Sequence, residues 1–416
     1  MEKKMIRICM IVFSYYPDDP RPRREAEALV EKGMSVDVIC LRKGSEPKRG
    51  HVNGVKVYRL PVERRRSGKV RYLYEYLSFI LLSAITISVL YLRKHYHLVH
   101  IHNMPDILVL SALIPRLLGA RLILDLHDPM PEVFMAKYSI DNNHVFIRVL
   151  RFMERFCIRF SDLVLTPNAA FRDLFISRGC PAGKIHIIMN SPQESIFRKA
   201  GRKTDLAAQE KNGRFVVMYH GTIVERNGIG VALEAVARAR EKIPFISFEV
   251  YGEGDYVNQF LQRISQLNLK DVVHYHGYIP AEKISAEIES ADIGVVPNIA
   301  STHWDLAFPT RIFEYLCMGK PVIAPKTRGI LDYFPEDSLC FFTSGNPDDL
   351  SRVMLSLYQN PDKIKKIRDR GMAIYQDHRW ELQKKHFTTL VQTLVHDGSC
   401  RQEQIKPMEI SRHNQG

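Results

Sequence analysis

The sequence predicts an α/β protein built as two Rossmann-like, doubly wound domains facing a cleft. Three observations carry this. The chain has 416 residues, more than one hydrophobic core ordinarily serves, so two domains are expected. Short apolar runs alternate with helical patterns, and the runs are apolar throughout, as in strands covered on both faces of a parallel sheet. The alternation stops at a polar stretch over residues 198–214, "RKAGRKTDLAAQEKNGR", and then begins again.

"IRICMIVF", from Ile6, is the first strand. It superficially resembles a signal peptide, but Arg7 interrupts the apolar run and no small-residue cleavage site follows. "PRPRREAEALVEKG" is a helix with Gly33 as its stop, and "SVDVICLR" is the next strand. "HLVHIH", "RLILDLH" and "DLVLTP" follow as strands separated by helix-like stretches. After the polar gap, "FVVMYHG", "FISFEVYG", "VVHYHGYI", "IGVVPN" and "KPVIAP" are strands, with "GVALEAVARARE" and "AEKISAEIESA" as helices between them. "PTRIFEYLCMG" is a turn, a short amphipathic helix and its glycine stop. The expected domains are 1–197 and 198–375, a C-terminal helix over 376–397 packing back on the first domain, and a polar tail over 398–416.

The formal charge is +13, and residues 1–199 hold 32 Lys and Arg against 19 Asp and Glu, leaving the rest balanced. That half should favour an anionic surface or substrate. No nucleic-acid motif accompanies the charge, so no nucleic-acid partner is expected. The seven cysteines are odd in number and form no C-x-x-C pair, which fits a reducing cytoplasm. "YLSFILLSAITISVLYL", residues 76–92, carries no charged residue and follows the basic "ERRRSGKVR". Two readings stay open: a buried helix, or, with residues 64–92 together, a peripheral contact with an anionic membrane.

In open parallel sheets, ligands bind beyond the carboxyl ends of the strands. In the first half that region holds Tyr15, Tyr16, Arg21, Arg23, Asn103, Asp106, His127, Asp128 and Glu132. Taken singly, these types also serve as helix caps and turns. The histidines of "HYHLVHIH" alternate, placing His100 and His102 on one strand face, but no convergent ligand set points to a metal. No D-x-D occurs, which removes one common way of holding a metal-bridged nucleotide diphosphate. In the second half, "HGTIVERNGIG" and "YGEGDY" follow strands without completing G-x-G-x-x-G. Their glycine turns still let a phosphate approach the backbone, with Arg226 as a candidate ligand. Arg311 raises a further question. A cation at a helix start is unfavourable unless an anion sits there.

"HGTIVERNG", "YGEGDY", "HYHGYIP", "ADIGVVPN" and "PTRIFEYLCMGKPVIA" together resemble the donor half of GT-B glycosyltransferases of family 4. "YYPDDPRPRREAEALVEKG" and "LILDLHDPMPE" resemble its acceptor half, so the likeness spans about the first 395 residues. The resemblance implies transfer of a sugar from a nucleotide diphosphate sugar with retention at the anomeric carbon. It implies no cofactor and no metal. It places Glu314 on the donor ribose, backbone amides from Phe308 through Pro309, Thr310 and Arg311 to Ile312 on the diphosphate, and Ile279 beside the base. Gly221, Thr222 and Gly252 fall in the donor loops. His127 matches a histidine near the transferred sugar, and Tyr16, Arg21, Arg23, Asn103, Asp128 and Glu132 are expected on the acceptor side.

Three positions depart from the family pattern. Leu306 stands where the first glutamate of E-x7-E belongs, with Asp305 one residue away. Thr222 and Asn227 stand where an arginine and a lysine are usual, so Arg226 and Arg311 are expected to supply the positive charge. The expected function is therefore a retaining hexosyltransferase of cell-surface polysaccharide synthesis, acting on a lipid-linked saccharide at the cytoplasmic membrane face. The alternatives are a catalytically degenerate binding or adaptor subunit, or another GT-B enzyme such as a sugar-nucleotide epimerase.

Overall fold

The computed structural model describes residues 5–64, 69–197 and 213–397. Residues 198–212 of the polar gap over 198–214, the tail over 398–416 and residues 65–68 of the basic run lie outside the described residues. Two compact units divide the chain. The first runs to Asn190 and takes up the chain again at Glu381; the second spans Ser191–Trp380.

The first unit begins with β1 (Arg7–Tyr15), α1 (Pro20–Glu31) and β2 (Ser35–Leu41), followed by β3 (Arg49–Val52) and β4 (Val55–Leu60). The long helix α2 (Lys69–Lys94) leads to β5 (Leu98–His102). A 3₁₀ turn, Asp106–Ala112, enters α3 (Leu113–Leu117), then come β6 (Arg121–Asp125), α4 (Met130–Tyr138) and α5 (Val145–Phe160). β7 (Leu163–Thr166), α6 (Ala169–Ser177) and β8 (Ile185–Ile187) close the sheet, whose order is β3-β4-β2-β1-β5-β6-β7-β8. All neighbours are parallel except β3 and β4. That hairpin is absent from the sequence reading, although "VNGV" carries its signal: Asn53 and Gly54 both take positive φ, as a two-residue hairpin turn requires. The strand order reverses at β1, between β2 and β5, so right-handed crossovers put α1 on one face of the sheet and α2, α3 and α5 on the other.

Helix α2 is packed on one face and exposed on the other. Residues 73–94 are long and apolar enough to cross a membrane by length and composition, yet a third (33%) of the most apolar window is buried in the fold. Its inner face packs: Phe79 meets Phe13 edge-to-face at 5.1 Å, Ser83 Oγ bonds Ser111 Oγ at 2.8 Å, and Tyr91 donates its hydroxyl to Leu118 O. Its outer face leaves Leu77, Leu81 and Ile85 more than half exposed, at 57%, 62% and 54%.

The second unit runs β9 (Phe215–His220), α7 (Ile229–Ala239), β10 (Ile246–Tyr251), α8 (Val257–Gln266), β11 (Val273–Gly277), α9 (Ala281–Ser290) and β12 (Ile293–Val295). It continues with α10 (Arg311–Cys317), β13 (Val322–Pro325), α11 (Arg328–Leu331), β14 (Cys340–Phe342), α12 (Pro347–Gln359) and α13 (Pro361–Gln376). The sheet is wholly parallel in the order β11-β10-β9-β12-β13-β14, so the reversal falls at β9. Val217, Phe248, Val250 and Ile293 sit fully buried beneath α7 and α12, the continuous core that apolar strands imply.

The last helix, α14 (Trp380–Asp397), enters the first unit at Glu381. There Gln383 accepts from Met189 N at 3.0 Å, and the fully buried Phe387 lies 5.7 Å from the His100 ring. Burying one such phenylalanine contributes about 2–3 kcal/mol, more than the exposed Lys384–Glu31 pair beside it can.

Candidate functional site

The second unit's sheet ends in glycines. Gly221 follows β9 at φ +126°, and Gly252 follows β10 at φ +140°. A Cβ on Gly252 would lie 1.9 Å from Gly221 O, so only glycine lets the two strand ends run this close. The Gly221 amide donates to Tyr251 O, and the Gly252 amide to Gly277 O, tying three strand ends together. The surface above them is bare backbone at the site where open sheets bind ligands.

Glu314 and His220 meet at this edge. His220 is the last residue of β9, and its Nε2 lies 2.5 Å from Glu314 Oε2. Its Nδ1 lies 3.0 Å from the Tyr315 hydroxyl, which itself donates to Met218 O at 2.8 Å. A hydroxyl has one proton to give, so His220 Nδ1 carries a hydrogen and Tyr315 accepts it. Burial first, with Glu314 adding to it, pushes the Tyr315 phenol well above its usual range, so that proton stays. One carboxylate is thus clamped at the sheet edge, with Glu314 partly open to solvent.

Arg311 corrects the sequence reading. Its side chain is buried: Nη1 donates to His220 O at 3.1 Å, Nη2 donates to Asn298 Oδ1 at 3.0 Å, and Cζ stacks 4.7 Å over Tyr219. The guanidinium braces β9 and does not stand free for a diphosphate. What remains at the start of α10 is backbone. The Ile312, Phe313 and Glu314 amides donate to Pro309 O, Thr310 O and Thr310 O, and Pro309 has no amide hydrogen. Among the described residues, the Thr310 and Arg311 amides donate no hydrogen bond. Phe308 packs against Phe313 at 4.6 Å, holding the turn. Arg226, in the 3₁₀ turn Glu225–Asn227, is exposed and has no side-chain partner among the described residues. Asn227 fixes that turn by donating to Thr222 O at 2.8 Å, while Thr222 itself is exposed. Ile279 is half-buried after β11, beside the exposed Tyr278. Asp305 receives Arg328 N at 3.4 Å and serves the entry to α11.

In the first unit, register pairs His102 on β5 with Asp125 on β6. Arg21 holds both Asp125 oxygens at 2.7 Å and also reaches Ile188 O and Asn190 Oδ1. Burial alone would raise the Asp125 carboxyl, but Arg21 and His127 hold it well below the usual carboxylate range. His127 is half-buried, with Nε2 at 3.0 Å from His102 Nδ1 and 3.3 Å from Asp125 Oδ2. Glu25, His100, His102 and Asp125 bring ligand-type atoms within 4.8 Å of one another, all buried. The set does not fit a metal ion well, because Arg21 already occupies both oxygens of Asp125 and balances its charge. Burial pushes Glu25 above its ordinary value, against the pull of Arg21, and His100 well below its own.

The acceptor-side residues divide. Arg21 is spent on Asp125, and Glu132 on Arg178, so both are interior braces and not free ligands. Asn103 is buried too: it accepts from His127 N at 2.8 Å and donates to Asp106 Oδ1 and Asp128 O, fixing the loop that carries His127. Tyr16 is buried, and Arg23 pairs with Glu27 at 3.1 Å. Asp128 remains half-buried at the loop surface. A groove of about 1060 Å³ opens elsewhere, lined by Arg42, Val62, Arg71, Tyr74, Leu81 and Leu82 among others. His220, Asn298 and this groove are not in the sequence reading. Only His220 has a usable signal there, as the polar residue ending the apolar strand "FVVMYHG".

Residues 20–191 match the family described as "Glycosyl transferase 4-like domain", and residues 202–373 match "Glycosyl transferases group 1". Among curated relatives, the amylovoran biosynthesis glycosyltransferase AmsK of Erwinia amylovora is 25% identical over 48% of this chain and 48% of its own length. The sulfoquinovosyl transferase SQD2 of Arabidopsis thaliana is 24% identical over 56% of this chain and 43% of its own. The chain spans about half the length of the curated relatives it matches. Among solved structures, sucrose-phosphate synthase from Thermosynechococcus elongatus superposes with TM-score 0.74 at 18% identity, covering 94% of this chain and 99% of that one. Anabaena Alr3699/HepE in complex with UDP-glucose gives 0.70 at 16% identity, covering 94% and 100%. At these identities the structural likeness speaks to the fold, two α/β domains of GT-B type.

Proposed function

This chain belongs to the group 1 glycosyltransferases of GT-B fold, and we propose that it moves a sugar from a nucleoside diphosphate sugar to an acceptor hydroxyl with retention of anomeric configuration. The observation that carries the reading is Glu314, clamped by His220 over the glycine ends of β9 and β10. In this reading Glu314 accepts the donor ribose hydroxyls. The free Thr310 and Arg311 amides and the unpaired Arg226 receive the diphosphate as the anomeric C–O bond breaks. The acceptor oxygen forms the new bond to the anomeric carbon, and its proton passes to the departing diphosphate oxygen. In this reading no step calls on a metal or cofactor.

Relatives named for amylovoran and sulfoquinovosyl transfer support a saccharide or lipid-linked acceptor in surface polysaccharide or glycolipid synthesis. The groove between Arg42 and Leu82 has apolar walls with charges of both signs, Arg71 being paired with Glu75 at 3.1 Å, and an amphiphilic acceptor suits it. The exposed outer face of α2 suits a peripheral position on an anionic membrane, at the cytoplasmic side. The test is a screen of UDP- and GDP-sugars for transfer or slow hydrolysis, with the product's anomeric configuration read by NMR. Turnover that Arg226→Ala and Glu314→Ala each lower by about a hundredfold supports the assignment. Full activity in both variants sinks it. A chain that binds no nucleotide and turns over none is the degenerate subunit instead.

A further inference from the structure

Helix α5 is apolar on two sides. Its inner side buries Ile147, Leu150, Cys157 and Ile158. On the outer side Val145 is 69% exposed, Val149 46%, Phe152 65% and Phe156 43%. At about 100° per residue these four fall within roughly 60° of one another, a single stripe along the helix. Beside the stripe runs a row of cations, with Arg148, Arg155 and Arg159 exposed and Arg151 half-buried. The helix has one acid, Glu154, which is buried and paired with Arg178 at 3.1 Å. A stripe of valine and phenylalanine cannot be left in water over three turns without cost. The residues flanking it say what covers it.

We propose that α5 lies in the plane of an anionic lipid bilayer surface, with Phe152 and Phe156 in the acyl boundary and the arginine row on lipid phosphates. An apolar stripe beside a cation row, without a free acid, is the pattern of an interfacial helix. The arginines match phosphate, and a lone anionic lipid headgroup needs no shaped pocket. The position in the fold agrees. α5 and α2 both pack on the turn Asp106–Ala112, on the sheet face that also carries α3. The exposed Leu81 and Ile85 of α2, Leu117 of α3 and Phe152 of α5 therefore belong to one face of the first unit. This inference rests in part on the peripheral position argued above, and it moves the contact beyond residues 64–92 to a second helix that names its own lipid chemistry.

The test uses the full chain in flotation with two vesicle types, phosphatidylcholine alone and equal parts phosphatidylcholine and phosphatidylglycerol. The unaltered chain should float with the anionic vesicles and release at high salt. Phe152→Ser with Phe156→Ser should weaken binding at least about tenfold. Arg148→Gln with Arg155→Gln should weaken binding to anionic vesicles only. All four positions are exposed, and unchanged thermal unfolding confirms that the variants fold. Binding equal to the unaltered chain in both double variants, lost only in Leu81→Ser with Ile85→Ser, places the whole contact on α2 and overturns the proposal. So does absence of vesicle binding, or a dimer in sedimentation that the phenylalanine variants dissolve. Nucleotide binding, measured on the same proteins without vesicles, should not change in the α5 variants. Flotation without any nucleotide binding would sink the enzymatic reading and leave this one standing.

Discussion

Between Met218 O and Glu314 a chain of hydrogen bonds passes through Tyr315 and His220, so the direction of one carboxylate is set by groups buried under the strand. If that carboxylate holds the donor, His220→Ala should weaken nucleotide diphosphate binding by about tenfold, the value of one charge-assisted hydrogen bond, while global stability changes less. Calorimetry against thermal unfolding separates the two effects. Equal affinity in His220→Ala would release His220 from this role. A second residue-scale prediction concerns Glu154. Burial, outweighing the pull of Arg178, pushes its carboxyl from 4.5 up to about 8. The folded chain thus holds the proton more tightly than the unfolded chain does. The stability this contributes is full below about pH 4.5 and is lost as pH rises through about 8. Glu154→Gln should therefore flatten the fall in unfolding temperature between about pH 5 and 8, and an unchanged slope would contradict the assignment. The sequence singles out Glu314 by its family resemblance but not its contact with His220. The fate of Arg311 was not legible, because a sequence places a cation at a helix start without saying that Tyr219, His220 and Asn298 will draw it inward.

At the scale of elements, the strand ends of the second unit are the tightest constraint. Gly252→Ala puts a Cβ 1.9 Å from Gly221 O at φ +140°, and both effects act against the fold. It should cost more than about 2 kcal/mol in denaturant unfolding and loosen the donor loop. Wild-type stability would show that β9 and β10 are not joined this way. Buried strands such as "ICMIV" and "FVVMYH" were legible because parallel sheets demand continuous apolar runs. The three-residue strands β8 and β14 are absent from the sequence reading, while β12, equally short, was legible because Val296 extends its apolar run in "IGVVPN". The β3–β4 hairpin announced itself only through Asn53–Gly54. Helix α2 defeated periodicity because a helix packed inside and apolar outside reads like one buried all round.

For the whole molecule, the two families matched in sequence fall on the two compact units, and each sheet reverses at its first strand. The charge asymmetry read from composition has a physical place in the first unit, where α5 sets its arginines beside an apolar stripe. The uneven part is chemistry. In the proposed reading the second unit uses Glu314 and bare amides, has Leu306 where the family resemblance places a first acid, and depends on the exposed Arg226. Whether that set still holds a donor is the central claim, and nucleotide binding tests it with no need for the acceptor. Titration calorimetry with UDP and GDP should show one of them binding the unaltered chain, with Glu314→Ala and Arg226→Ala each weakening it at least about tenfold. Binding of neither nucleotide, or undiminished binding in both variants, would contradict the account.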